Sequence, residues 1–452
     1  MKLTHRTNRF LLTVLLVPLL MVNSCKDKQT EASTQKEKKE IGAPEVEVNV
    51  AADTISLSPV LPFDVTITGS VMETSIRRNF DEFSWESFIA LNWSQDSTQV
   101  IGSNGDNPTL WETWKNSSDV FLANGAKPTP WGTLGTLPPG CSSHKGKFLS
   151  QVGKTPDLLN ESELPFKTGP LIDQNSAYSR FEILVNQEMF EYIDDNNLYS
   201  FDGQQSFHKN AEFPEGNNDT KVWGAIMVKG AWKIMGENDD PNRFHTVDAV
   251  IYTPAQTDPV VAESCFTAKV GLVGLHIGTK TAICPQWIWS TFEQVDNAPT
   301  FGKENEKKHY NYFDVKEDRK VNEAPLRPWN PEIPDQIPTQ VQRLTPIFSG
   351  TAELNKAYQA KLRSVNEKSV WQYYELVGTQ WPTNSSNLPL GDPFPQFLGN
   401  ATLETYIQGI IVNDTVQLVP NVSTSCMHCH NGATMISTGK TADFTFLLER
   451  AQ

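Results

Sequence analysis

The sequence predicts an α+β fold: a large mixed domain with a β-rich sheet core and peripheral helices, followed by a small helical C-terminal region. Three observations carry that prediction. Between residues 221 and 300 the apolar runs are short, rich in β-branched and aromatic residues, and bounded by turn formers, as strands are. Two other segments, Asn79 to Trp93 and the stretch from Thr351 onward, repeat apolar residues at helical spacing instead. Between the two parts Pro325, Pro328, Pro331, Pro334 and Pro338 recur every three or four residues, which predicts an extended connector over the surface.

Each element follows from its own pattern. Val46-Glu47-Val48-Asn49-Val50 and Val65-Thr66-Ile67-Thr68 alternate apolar and polar and read as short strands. Phe80, Phe83, Phe88 and Leu91 form one stripe of a helix that Asn79 can cap. Residues 94–175 are rich in Gly, Pro, Ser, Asn and Thr, so irregular structure is expected there, with one helix around Trp111 to Phe121. Phe181, Leu184, Val185, Met189 and Tyr192 predict another helix over Arg180 to Ile193. Strands are expected within Val222 to Met235, Ala249 to Thr253, Lys269 to Lys280 and Trp287 to Phe292. Lys303 to Lys320 mixes both charge signs and reads as a solvated loop that includes His309. Leu354, Tyr358, Leu362 and Val365 predict a long helix from Thr351 that Gly378 can end. Leu403 to Gly409 reads as a second short helix. No internal repeat is visible.

The chain has 452 residues and a net charge of -15. That length suits two or three domains and a large core. An acidic surface argues against nucleic acid and suits a basic protein partner. Residues 1–24 read as an export signal: Lys2, Arg6 and Arg9 precede an apolar run, Phe10 to Leu20, too short to span a membrane. Val22-Asn23-Ser24-Cys25 resembles a lipoprotein cleavage box, with Cys25 as the acylated first residue, although leucine is commoner at Val22 and Asn23 is also atypical. Ordinary signal-peptide cleavage is the alternative. Removing the three basic residues leaves -18. Residues 25–44 then read as a disordered tether, 45–322 as the large mixed domain, 323–350 as the connector and 351–452 as the helical region. The expected location is the periplasm or the cell surface, with Cys25 as the only membrane anchor.

Ser425-Cys426-Met427-His428-Cys429-His430 holds the most specific chemistry. Cys-x-x-Cys-His is the attachment signature of covalent haem c. Two thiols, Cys426 and Cys429, add to the vinyl groups of the macrocycle, and His430 ligates the iron. At i, i+3 and i+4 the three share one helix face, and Thr424 or Ser425 can cap the helix. A zinc site lacks a second Cys/His pair nearby, and a thioredoxin-like pair lacks its α/β context. One covalent haem is expected, and export agrees with it because this attachment occurs outside the cytoplasm. Of the other cysteines, Cys141, Cys265 and Cys284 allow one disulfide. Cys265–Cys284 is the expected pair because both flank one strand region, with buried free thiols as the alternative. Cys141-Ser-Ser-His144 reads as loop.

The iron's opposite face decides between electron transfer and reactivity. Met435 is the only downstream methionine, and five extended residues reach only about 17 Å, a marginal span around the macrocycle edge. His276 lies on a predicted strand between Gly274 and Gly278, whose missing side chains leave room for a flat ring. The competing reading is a hydrogen-bonded core histidine. His208 and His245 are weaker candidates, His428 points away from the ring, and an open position is the remaining alternative. No G-x-S-x-G, phosphate loop, H-E-x-x-H or dinucleotide fingerprint occurs, and Glu182 and Glu188 cannot be paired from sequence.

Residues Cys426 to His430 resemble the cytochrome c family. Ser87 to Trp93, Gly274 to Lys280, Pro285 to Phe292 and Trp371 to Pro382 resemble blocks of bacterial single-haem cytochrome c family proteins, over most of residues 80–435. The resemblance implies a shared architecture and a cytochrome-c-like C-terminal region, but no substrate. The expected function is that of an exported, lipid-anchored c-type cytochrome passing single electrons to a redox partner protein. The alternative is a haem-dependent redox enzyme (peroxidase, oxygenase or substrate dehydrogenase) whose large domain forms the substrate site. A surface binding protein in which haem senses or stabilises is a third reading.

Overall fold

The computed structural model describes residues 54–452 other than 70–72, 96–99, 103–106, 134, 136, 145, 150–167, 258–259, 327–328, 331–332, 334–335 and 420–422. The export signal, Cys25, the tether and the expected strand at Val46 to Val50 lie outside the described residues. Residues Asn49–Gln452 form one compact unit.

The described elements are α1 (Glu73–Leu91), β1 (Lys115–Asn116), α2 (Ser117–Val120), β2 (Lys147–Leu149), β3 (Arg180–Val185), α3 (Gln187–Asp195), α4 (Phe201–Phe207), β4 (Ile226–Ile234), β5 (Thr246–Thr253), β6 (Gln256–Thr257), β7 (Val260–Val261), β8 (Ser264–Thr279), β9 (Ile288–Gln294), α5 (Ser349–Val365), β10 (Tyr374–Pro382), β11 (Pro393–Phe394), β12 (Ile410–Val412), β13 (Thr415–Gln417) and α6 (Cys426–His430). The fold is mixed α/β, built on a large sheet in the order β1-β3-β4-β8-β9-β10-β11, with β5 pairing on β8 and β2 on β5. All pairings are antiparallel except β2 with β5.

Both faces of the central strands are covered, so β4 and β9 are buried almost throughout. This is why they read as continuous apolar runs without alternation. On one face lie α1 and α5. Trp85 and Phe88 of α1 pack with Leu354, Tyr358 and Leu362 of α5 against Leu275, Ile277, Phe292 and Leu376. Polar contacts fix that packing: Ser84 Oγ lies 2.6 Å from Ser290 Oγ, and Thr351 Oγ1 donates to Asp81 Oδ2 at 2.6 Å. The opposite face is covered by α3 and by the C-terminal segment, through Met427, Met435, Leu447 and Leu448 on Met227, Trp287 and Trp289.

Several expectations are corrected. Arg180 to Ile193 is not one helix but β3 followed by α3, because Asn186 caps α3 with its side chain while the residues before it pair with β4. The helix expected near Trp111 to Phe121 breaks into a 3-10 turn, β1 and one turn of α2. Residues 65–68 are irregular. The long helix ends at Asn366, not Gly378, which lies within β10. Residues 351–452 are therefore not purely helical, since they supply β10 and β11 of the main sheet. Only a 3-10 turn, Thr405–Ile407, forms in the expected second helix. Tyr310 to Phe313 are buried within the expected solvated loop, while His309 is exposed. Residues 339–345 of the connector are also buried. Arg343 reaches between the cross-strand neighbours Glu293 and Glu375, at 2.7 and 2.9 Å, and relieves their repulsion. The disulfide is Cys141–Cys265, with Cα atoms 5.6 Å apart, not Cys265–Cys284; Cys284 is a buried thiol.

Candidate functional site

The motif forms α6. Ser425 is its N-cap residue, yet its side chain makes no capping bond. The orphan amide is satisfied from the sheet instead. Gln380 of β10 accepts from Met427 N through Oε1 (2.8 Å) and donates from Nε2 to Ser425 Oγ (3.1 Å). Thr424 Oγ1 donates to Ile407 O at 2.7 Å. Met427 is fully buried, which seats the helix on the sheet. Cys426, Cys429 and His430 are half-buried and His428 is exposed. The spacing that puts the three on one face is thus realised in a helix.

His430 is oriented by the chain that follows it. Its Nδ1 lies 2.8 Å from Phe444 O. A carbonyl only accepts, so Nδ1 carries a proton, and in the neutral ring the lone pair is then on Nε2, the tautomer that a metal-ligating histidine needs. Trp289 and Phe446 flank the ring, with centroids 4.4 and 5.3 Å away. The turn that supplies the carbonyl is strained. Asp443 (φ 50°) and Phe444 (φ 62°) are both left-handed without being glycine. Asp443 holds it in place: Oδ2 accepts from Lys280 Nζ at 2.6 Å and from Phe213 N at 2.7 Å. Burial pushes the Asp443 carboxyl up, against the pull of Lys280. The residues present fit a covalent haem in spacing, in exposure and in the imidazole tautomer. Among the described residues no three His, Cys, Asp or Glu side chains form a metal-binding group.

No family model, curated protein or solved structure matches this chain.

The other sequence candidates are dispersed. His276 is half-buried on β8 with Nε2 3.4 Å from Glu404 Oε2. The space beside its glycines is filled by the chain itself. A Cβ on Gly274 would meet Thr402 Oγ1 at 2.6 Å, and one on Gly278 would meet Met227 Cε at 3.0 Å. The glycines therefore admit packing side chains, which corrects the expected slot for a flat ring. Met435 is fully buried beside Met427 and Trp289 in the core under α6. His208 is an exposed left-handed cap after α4.

His245 lies elsewhere, in a group that sequence reasoning did not assemble. Its Nε2 is 3.2 Å from Glu112 Oε1, beside a cavity of about 620 Å3 that Lys147 and Glu182 also line. Glu182 pairs with Lys147 at 2.8 Å, whereas Glu188 accepts from Asn186 Nδ2 beside the α3 cap. Side chains alternate across a sheet, so Glu182, which shares a strand face with the core residue Leu184, opens onto the α1/α5 side. Trp289 faces the α6 side.

Proposed function

We propose that this protein is an exported, lipid-anchored, single-haem c-type cytochrome that transfers electrons, with a cytochrome-c-like role for its C-terminal region. The observation that carries the reading is the pairing of Cys426, Cys429 and His430 on α6 with a carbonyl on His430 Nδ1. Cys426 and Cys429 would hold the macrocycle through thioethers, and His430 Nε2 would ligate the iron. Bound there, haem supplies a one-electron iron couple. Gln380 fixes the helix start, Phe444 O orients the ligand and raises its basicity, and Trp289 and Phe446 exclude water from the imidazole. Cys25 would carry the lipid that holds the protein at the membrane, in the periplasm or at the cell surface, where a basic redox protein is the partner its charge favours.

The test is expression with a haem c maturation system, followed by denaturation in acid and organic extraction. Pigment is expected to stay with the polypeptide and to be absent when both Cys426 and Cys429 are Ser. Pigment that partitions into the solvent, or a colourless wild type, would overturn the reading. A Cys25→Ser form is expected to leave the membrane fraction. The alternative is a haem-dependent redox enzyme, which the cavity beside Glu112 does not favour because it opens onto the opposite face of the sheet from His430. Ready carbon monoxide binding by the reduced protein would favour it, because a carrier's iron has both faces filled.

A further inference from the structure

The cavity on the α1/α5 side of the sheet has a floor of buried charge. Glu112 Oε1 lies 3.2 Å from His245 Nε2 and 3.5 Å from Lys147 Nζ. Lys147 Nζ donates to Glu182 Oε1 at 2.8 Å, and the same oxygen accepts from Trp232 Nε1 at 2.8 Å. Glu112 Oε2 accepts from Thr109 N and Oγ1 at 3.0 and 2.9 Å. The carboxylate side chains of Glu112 and Glu182 are 4% and 3% exposed. Burial alone would push Glu112 up, but His245 and Lys147 outweigh it and hold its carboxyl well below the usual range. Lys147 lies over the rings of Trp111 and Trp232, at 4.9 and 5.2 Å, and His245 stacks on Trp371 at 4.8 Å.

Four ionisable groups are expensive to hold inside a fold, and apolar residues of similar volume would stabilise it as well or better. Such a group converging on a concave cavity is the signature of a ligand site. The wall is also anchored. β2, which carries Lys147 and Phe148, pairs with β5, and the turn before it is tied to β8 by Cys141–Cys265.

The lining decides the ligand class. Each described cation that lines the cavity already faces a carboxylate: Lys147 with Glu182 and Glu112, His245 with Glu112, and Lys269 with Asp248 at 3.0 Å. No lysine is spare to draw an anion. The acids are met in turn: Glu112, Glu182 and Asp248 by those cations, and Asp119 by Lys115 and the Gly135 amide. The walls otherwise offer the amide of Asn107, the aromatic rings of Trp114 and Phe148, and the α2 cap, where Asn116 Oδ1 accepts from Ser118 N and Oγ at 3.0 and 2.9 Å. We propose that this cavity binds a neutral polyhydroxylated ring of the monosaccharide class, with its hydroxyls on Glu112, Lys147 and His245 and its C–H face on Trp114 or Phe148. Hydroxyls can both donate to the carboxylates and accept from the lysine without adding charge. The inference does not rest on the haem reading.

The test is calorimetric titration of the purified full chain with glucose, galactose and xylose, and with glucosamine and glucuronate as charged analogues. Saturable binding of at least one neutral sugar is expected. Glu112→Gln should weaken it by about tenfold or more, because a charged acceptor is lost. Ser118 is exposed on the cavity wall, so Ser118→Trp should block the cavity and leave the melting temperature unchanged. No binding by any neutral sugar, preference for glucosamine or glucuronate, or unchanged binding in Ser118→Trp would each overturn the proposal.

Discussion

His430 is held through its second nitrogen, and the hold depends on Asp443. Lys280 is 2% exposed and its partner Asp443 9%, so removing the carboxylate strands a buried ammonium. Asp443→Ala should destabilise the protein by about 3–5 kcal/mol in urea unfolding. It should also release the left-handed turn, seen as loss of the protected His430 Nδ1–H resonance. An unchanged resonance would show that the carbonyl contact survives without Asp443. Asp81 makes a different prediction. Its carboxyl is pushed from 3.8 up to about 6, chiefly by burial, against hydrogen bonds from Thr351 and Thr379. Folding therefore favours the protonated form, so this group's contribution is fully present below pH 3.8 and is lost as pH rises through about 6. Asp81→Asn should gain about 3 kcal/mol on wild type between pH 4 and pH 8, read from paired urea titrations. At this scale the Cys-x-x-Cys-His residues were legible as a group because local spacing encodes them. Glu112 and His245 were not, because only the folded sheet edge brings them together.

Among the elements, Arg180 to Ile193 divides into β3 and α3 against its own periodicity. Its apolar residues satisfy helical spacing, but Arg180–Val185 is claimed by β4 on one side and β1 on the other. Tertiary pairing overrode the local preference. Asn186 marks the switch, and it does more than cap: Oδ1 accepts from Met189 N (3.2 Å) and Ile226 N (2.9 Å), while Nδ2 donates to Gly224 O (2.8 Å). Asn186→Ala should therefore cost about 2–3 kcal/mol, above the roughly 1 kcal/mol of an ordinary cap. A loss no larger than a simple cap, measured by chemical denaturation, would mean that the β4 contacts contribute nothing. The Cys141–Cys265 bridge spans a sequence separation of 124. Replacing both with Ser should lower stability by about 2–4 kcal/mol. Reductant added to wild type should have the same effect and should leave the double variant unaltered.

At the scale of the whole molecule, the Cys-x-x-Cys-His motif does not stand on a unit of its own. β10 lies between β9 and β11, and Gln380 on that strand caps α6. Met427, Met435, Leu447 and Leu448 cover the sheet face that carries Trp287 and Trp289. A fragment of residues 351–452 should therefore show no cooperative melting by circular dichroism. A fragment that melts cooperatively would establish an independent region there.

The sequence by itself determined the elements and motifs whose information is local: the stripe of α1, the strands from Ile226 to Gln294, and the Cys-x-x-Cys-His spacing. It also determined the expectation of export, from residues outside the described structure. Only the tertiary structure decided the partner of Cys265, the division of β3 from α3, the fate of the space beside His276 and the assembly of Glu112, Lys147, Glu182 and His245. The physical reason is range. Periodicity and spacing act within one or two turns of chain, whereas strand pairing, buried charge and a carbonyl on His430 are set by segments that meet only when the sheet forms.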